Sequence, residues 1–212
     1  MTVLTGKAGT GKTSVLGALL LCNDVVKDGV LLLAPTGKAR VRLGRATNAE
    51  AMTVAQFLYH LDRYDGVRQK PLVTGKEKYR KEKTVVIDEA SMLTMDMLLA
   101  VLEALDLVHV QRLILVGDPN QLPPIGVGRP FADLVASFED ALLSKDSSAR
   151  ALGMAMSRLS VEVRAVAGAP SDTLRLASWF TREQQPVDAD RILSDVEVGG
   201  AFNDLELCFW KT

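Results

Sequence analysis

The stretch TGKAGTGKTS, residues 5–14, follows the short apolar run TVLT and precedes a segment rich in helix-forming residues. Its glycines at 6 and 11, followed by Lys12 and Thr13, fit the pattern G-x-x-x-x-G-K-[ST]. Between a strand and a helix, such a loop can surround phosphate oxygens with backbone N–H groups. A chance glycine-rich turn is the competing interpretation, which these flanks disfavour. We therefore expect a phosphate-binding loop made of Gly6, Lys7, Ala8, Gly9, Thr10, Gly11, Lys12, Thr13 and Ser14.

Apolar runs elsewhere in the chain predict further strands. Together with the first run, they predict four buried parallel strands, at residues 2–5, 29–34, 84–88 and 112–118. Helical patterns lie between them, at residues 12–21, 38–46 and 92–105. This alternation predicts an α/β fold with a mainly parallel sheet and helices on both faces. Ligands of such sheets bind beyond the carboxyl ends of the strands.

Two adjacent acidic residues, Asp88 and Glu89, end the third apolar run. A carboxylate at this place can hold Mg²⁺, and a second one can polarise an attacking water. Adjacent acids are also common as a charge pair at a helix N-terminus, but the phosphate-binding loop favours the catalytic interpretation. We expect Lys12 to contact the β- and γ-phosphates of a nucleotide, Thr13 and Asp88 to hold the metal, and Glu89 to act as the base.

The composition excludes several protein classes. With 48% apolar and 24% charged residues among 212, the chain is typical of a soluble globular protein. The longest apolar run, residues 15–22, is too short to cross a bilayer, so we expect no membrane partner and a cytoplasmic location. Cys22 and Cys208 lie in apolar contexts, which predicts buried free thiols. His60 and His109 are too isolated to suggest a metal site.

Charge is unevenly distributed along the chain. Residues 61–83 contain eight Lys or Arg against four Asp or Glu, whereas residues 182–206 contain seven acidic side chains against two basic ones. The basic segment has two open interpretations: contact with a polyanion, or a solvated loop. If the segment contacts a nucleic acid, Tyr64 and Tyr79 could add base stacking to the charge interaction.

Three further stretches narrow the function class: APTGKA at 34–39, DEASML at 88–93 and GDPNQLPPIGVG at 117–128. Together they resemble the first motor domain of superfamily 1 DNA helicases, most closely the RecD/TraA branch, over about residues 1–180. The resemblance implies one RecA-like P-loop NTPase domain over residues 1–212, with a basic insertion at about 61–83. It implies ATP and Mg²⁺ as cofactors, and single-stranded DNA and a second RecA-like motor domain as partners. ATP hydrolysis would drive movement along the DNA.

The segment after the second predicted strand offers residues for DNA. The turn with Thr36 and Lys38 opens a helix, and its hydroxyl, ammonium and free N–H groups suit a phosphate of single-stranded DNA. The resemblance places Thr53 at a helix-initiating threonine that contacts DNA, although a helix N-cap explains this residue equally well. Arg42 and Arg45 extend the basic stripe from Lys38, and we interpret both as solvated surface.

The resemblance assigns two further roles at the nucleotide. Gln121 stands where the family has a γ-phosphate-sensing glutamine, and an amide can both donate and accept there. The stiff loop after it contributes Pro123 and Pro124, which we place among the DNA-binding residues. RLSVEVRAVAG at 158–168 resembles the family's next motif, in which Arg164 would stabilise charge on the γ-phosphate.

The family also has residues before the first strand and a second motor domain after the first. Because neither feature is present in this chain, we expect an isolated first motor domain, from a cloned fragment or a shortened gene. Such a domain should be unable to unwind DNA alone. A stand-alone P-loop ATPase that acts as a switch or remodels a protein partner stays open, and stimulation by single-stranded DNA would distinguish it. A docking module with a vestigial nucleotide site is disfavoured by the intact Lys12, Asp88 and Gln121.

Overall fold

The computed structural model describes residues 1–72 and 78–161. Its strands in chain order are β1 (Thr2–Gly6), β2 (Val30–Ala34), β3 (Ala51–Thr53), β4 (Tyr64–Asp65), β5 (Lys70–Pro71), β6 (Thr84–Ile87), β7 (Arg112–Gly117) and β8 (Met156–Leu159). Six of them form one sheet in the order β3-β2-β6-β7-β1-β8, and all its strand pairs are parallel. The short strands β4 and β5 form a separate antiparallel pair.

Helices connect the strands of the sheet. They are α1 (Lys12–Leu19), α2 (Asn23–Val26), α3 (Gly37–Thr47), α4 (Val54–His60), α5 (Met95–Ala104), α6 (Pro130–Leu143) and α7 (Ser147–Gly153), with a 3₁₀ turn at Ala90–Met92. The predicted helix at 92–105 begins later, because the Thr94 side chain accepts a hydrogen bond from the backbone N–H of Met97 and caps α5. Within the described residues, no helix has the length and apolar character needed to cross a membrane.

The core lies on both faces of the sheet. Successive strand residues point to opposite faces, so Leu31 and Leu33 of β2 belong to one buried cluster and Leu32 to another. The first cluster packs against α4, α5 and α6, and the second against α1 and α3. The predicted α/β architecture, a parallel sheet covered by helices on both faces, is therefore confirmed. The fold is that of a RecA-like P-loop NTPase.

The prediction that Cys22 is a buried thiol is wrong. Helix α1 ends at Leu19, and the chain turns there before α2, leaving the Cys22 thiol exposed. Leu21 beside it is exposed as well, so this apolar run does not continue into the core. Cys208 lies outside the described residues.

The basic segment at 61–83 is partly built into the domain. Arg63 is buried, and Tyr79 makes an edge-to-face ring contact with Phe57 of α4 at a centroid distance of 5.4 Å. Tyr64 also packs against the core. The two tyrosines are thus engaged within the fold, which removes the support that stacking lent to the polyanion interpretation. Arg80 pairs with Asp106 at 3.0 Å.

Candidate functional site

The phosphate-binding loop joins β1 to α1. Gly9 and Gly11 have positive φ angles of 86° and 81°, a conformation that L side chains rarely adopt. A Cβ on Gly6 would lie 2.6 Å from Thr10 Oγ1 and 2.9 Å from the backbone carbonyl oxygen of Leu159, so this position has no room for a side chain. No side chain caps the N-terminus of α1, which leaves its first N–H groups for an anion.

Lys12 lies inside this loop. Its ammonium donates to the carbonyl oxygens of Gly6 at 2.6 Å and Lys7 at 3.0 Å. Burial lowers the pKa of Lys12, and the charges of Asp118, Glu89 and Asp88 oppose that shift in this order. The ammonium therefore lies within the field of three carboxylates at the carboxyl ends of the strands.

Thr13 and Asp88 come together as predicted for a metal site. The Thr13 hydroxyl donates to Asp88 Oδ2 at 3.3 Å, and the Glu89 N–H donates to Asp88 Oδ1 at 2.9 Å. Burial raises the pKa of the fully buried Asp88, and the charge of Glu89 adds to the shift. A hydroxyl and a carboxylate are hard oxygen ligands, and Mg²⁺ in nucleotide sites typically takes few such protein ligands. These residues fit Mg²⁺.

Glu89 is held from two sides. Its backbone is left-handed, with φ 53° and ψ 38°, a conformation that is uncommon outside glycine. The Arg42 guanidinium forms an ion pair with Glu89 Oε1, and the Gln121 amide donates to Oε2 at 3.5 Å. The predicted base and the predicted phosphate sensor are therefore neighbours.

Arg42 is exposed, as the solvated-surface interpretation expects, but solvent is not its only partner. Arg42 extends from α3 toward the end of β6, where its guanidinium pairs with Glu89 and lies 3.9 Å from Asp88 Oδ2. Asp118 is a second residue at the site, and the sequence alone assigned it no role. Its buried carboxylate accepts from the Asn120 N–H at 3.0 Å and shifts the pKa of Lys12. Its position at the end of a predicted strand was the available signal.

The residues predicted for DNA lie at the same edge of the sheet. Thr36 caps α3 by accepting from the Ala39 N–H at 3.2 Å, which leaves its own O–H free to donate, and Lys38 is exposed. A cleft of about 1150 Å³ opens beside them. It is lined by Thr36, Gly37, Lys38, Ala39, Arg40, Val41, Arg42, Arg45, Ala46, Glu89 and Met92.

Thr53 has the helix-capping role that the sequence left open. Its hydroxyl oxygen accepts from the Gln56 N–H at 3.1 Å, while the Gln56 side chain accepts from the Thr53 N–H at 2.9 Å. This reciprocal pair is a capping box at the start of α4. A DNA contact by Thr53 stays a prediction.

The loop after Gln121 lies at the surface. Leu122 is 89% exposed, and a second cleft of about 640 Å³ is lined by Met92 and residues 121–125, including Pro123 and Pro124. The loop is anchored further along, where the Met95 N–H donates to the Val127 carbonyl at 3.0 Å. Arg164, the remaining predicted site residue, lies outside the described residues.

The fold and this cluster of residues define a P-loop NTPase. Comparison with known sequences agrees: the chain belongs to the AAA domain family, whose profile matches residues 1–178. It is 32% identical over 185 residues to the RecBCD enzyme subunit RecD of Mycobacterium tuberculosis, covering 78% of this chain and 32% of that protein. An uncharacterized protein of Methanocaldococcus jannaschii is 34% identical over 147 residues, covering 65% of this chain and 12% of that protein.

A third curated relative is the ATP-dependent RecD2 DNA helicase of Deinococcus radiodurans, 35% identical over 134 residues, covering 63% of this chain and 18% of the relative. Among solved structures, the Pif1 helicase of Candida albicans superposes with a TM-score of 0.57 at 21% identity, covering 92% of this chain and 43% of the other. The chain thus spans about a third or less of these curated relatives. The predicted relationship to the RecD/TraA branch is confirmed.

Proposed function

We propose that this chain is an ATP-hydrolysing motor domain that couples hydrolysis to movement on single-stranded DNA. One observation carries the proposal. The phosphate-binding Lys12, the Asp88–Glu89 pair and Gln121 converge at the ends of β1, β6 and β7, and Arg42 connects Glu89 to the basic cleft along α3. The proposed nucleotide site and the cleft beside α3 therefore share the Glu89 carboxylate. Homology to RecD supports the same assignment.

Each residue at the nucleotide has a distinct role in this proposal. The loop N–H groups and Lys12 bind the phosphates of ATP, and Thr13 and Asp88 would hold Mg²⁺, which would neutralise charge on the phosphate oxygens. Glu89 accepts a proton from the attacking water. Gln121 responds to the γ-phosphate through its amide, which already contacts Glu89. We keep Arg164 as the proposed stabiliser of the transferring phosphoryl group.

Single-stranded DNA is proposed to lie across the carboxyl edge of the sheet. Thr36 and Lys38 would bind its phosphates, Thr53 would extend this row, and Pro123 and Pro124 would border it. The Thr36 O–H is free to donate, and the cleft carries the exposed cations of α3. Binding through phosphates should show little sequence preference and weaken with salt, with a log-log slope of about −0.7 per contact.

A second RecA-like motor domain is the proposed protein partner. Support comes from the relatives, which are three or more times as long as the region that they share with this chain. A charge supplied from a partner domain is worth roughly 10³ to 10⁵ in the rate of related phosphoryl transfers. We therefore expect slow intrinsic hydrolysis by the 212 residues alone, and no unwinding.

The experiment that tests the proposal measures ATP turnover with and without an oligo(dT) strand. The wild-type chain should hydrolyse ATP in a Mg²⁺-dependent manner, and the strand should stimulate it. Lys12→Ala should abolish turnover, whereas Lys27→Ala, which removes an exposed lysine in a surface ion pair with Asp24, should not. Turnover that depends on Lys12 but ignores the strand would instead favour an ATPase that acts on a protein partner.

A further inference from the structure

Arg42 occupies a position that belongs to two sites at once. It lies one turn after Lys38 on α3, lines the cleft of about 1150 Å³, and its side chain is 45% exposed. Its guanidinium also forms an ion pair with Glu89 and lies 3.9 Å from Asp88 Oδ2. One cation therefore faces both the proposed strand-binding cleft and the catalytic carboxylates.

The contacts of Glu89 leave its carboxylate little freedom. Oε1 accepts from Arg42 and Oε2 accepts from Gln121, and only 12% of the side chain is exposed. The left-handed backbone at Glu89 fixes the direction from which the side chain starts. The guanidinium competes with an attacking water for the lone pairs of Oε1 and offsets the negative charge of the carboxylate, so release of Arg42 would make this oxygen a more available proton acceptor.

A phosphodiester is a suitable competitor for the guanidinium. Arginine binds phosphate through the same paired N–H groups that it uses for carboxylate, and its exposed portion already lies in the cleft. Lys38 and Arg45 line the same cleft, so a strand held there brings phosphates within reach of α3. Glu89 and the phosphate would then compete for one cation.

We propose that Arg42 is a positioning residue that exchanges Glu89 for a phosphate of bound single-stranded DNA, so that strand binding frees Glu89 Oε1 for the attacking water. The inference rests on the proposed function and adds the residue through which DNA stimulates hydrolysis. It makes two requirements that a purely structural ion pair does not. Removing the charge of Glu89 must strengthen DNA binding, and this gain must need Arg42.

A double-mutant cycle tests these requirements without nucleotide. The fluorescence anisotropy of a labelled oligo(dT) is titrated with the wild type, Glu89→Gln, Arg42→Ala and the double variant. Glu89→Gln should tighten binding by about threefold or more, a coupling typical of contacting residues, and should have no effect in the Arg42→Ala background. Arg42→Ala alone should weaken binding and make the salt slope shallower by about 0.7.

Arg45 provides the matched control, because it lines the same cleft one turn further along α3. Arg45→Ala should weaken binding, yet Glu89→Gln should still tighten binding in that background. If Glu89→Gln acts equally with and without Arg42, a general loss of negative charge explains the gain, and the inference is overturned. If Arg42→Ala has a lowered melting temperature, Arg42→Gln takes its place in the double-mutant cycle.

Turnover separates failure of the inference from failure of the proposed function. If Arg42 acts in this way, oligo(dT) stimulates the wild type but leaves the turnover of Arg42→Gln unchanged, and Arg42→Lys recovers part of the stimulation. Undiminished stimulation of Arg42→Gln refutes the role of Arg42 and leaves the motor assignment standing. Absence of any oligo(dT) binding by the wild type at low salt refutes both.

Discussion

Replacing Asp88 with asparagine should stabilise the folded chain while abolishing its hydrolytic activity. Asp88 is fully buried, and burial is the main cause of its raised pKa, with the neighbouring charge of Glu89 second. Asparagine keeps an acceptor for the Glu89 N–H and offers the Thr13 oxygen a donor, so the hydrogen bonds at 2.9 and 3.3 Å have replacements. The Lys12 ammonium loses only part of its electrostatic stabilisation, because Glu89 and Asp118 also act on it.

The expected gain in the free energy of unfolding comes from removing one buried charge without opening a cavity. Stabilising substitutions of this kind contribute about 1 to 2 kcal/mol, which for a chain of this length raises the melting temperature by about 2 to 8 °C. The raised pKa of Asp88 also sets the direction in which stability changes with pH. Because the pKa of Asp88 is raised in the folded state, the wild type loses stability as pH rises from the unfolded-state pKa through the folded-state value. The advantage of Asp88→Asn should therefore be largest above the folded-state pKa of Asp88 and shrink as pH falls toward the unfolded-state value of about 4.

Thermal denaturation followed by circular dichroism, in EDTA and without nucleotide, measures this difference. Asp24→Asn is the control, because Asp24 is 86% exposed in a surface pair with Lys27, and its melting temperature should stay within about 2 °C of the wild type. An Asp88→Asn variant that melts below the wild type at pH 7 would refute the reasoning. It would mean that the carboxylate's attraction to Lys12 and Arg42 outweighs its desolvation.

Three further predictions concern local structure. Gly6→Ala should abolish binding of a fluorescent ATP analogue, because the new Cβ would lie 2.6 Å from Thr10 Oγ1; undiminished binding would contradict the loop geometry. Thr53→Ala should lower the free energy of unfolding in urea by about 1 kcal/mol through loss of the α4 cap, and an unchanged midpoint would refute that role. Cys22 should react rapidly with a thiol reagent in the native chain, with Cys22→Ser as the negative control for labelling of that peptide; a protected Cys22 would contradict its exposure.

Much of the fold follows from local patterns that the sequence displays directly. The apolar runs place β1, β2, β6 and β7 within one residue at either end, because buried parallel strands need apolar residues on both faces. The phosphate-binding loop is equally local, since Gly9 and Gly11 are favoured by their own positive φ angles and Gly6 by close contact with Thr10 of the same loop. Shorter elements such as β3 and the β4–β5 pair lack that pattern, and their positions depend on the strands and helices that they pack against.

The site was only partly predictable, because its decisive contacts join distant parts of the chain. Arg42 and Glu89 are 47 residues apart, and nothing near Arg42 distinguishes it from the neighbouring Arg45. Helix α3 connects β2 to β3, and the guanidinium meets the carboxylate because β6 lies on the other side of β2 in the sheet. Exposure of Cys22 was missed for a related reason: an apolar sequence context does not reveal where a helix ends.

The central claim is that the nucleotide site and the DNA-binding edge are one coupled system, and a linkage measurement tests it most directly. The affinity of labelled oligo(dT) is measured with and without a non-hydrolysable ATP analogue and Mg²⁺, for the wild type and for Lys12→Ala. We expect the analogue to change the affinity of the wild type by about fivefold or more, and Lys12→Ala to remove the change. An affinity that is identical with and without a bound analogue would contradict the coupling.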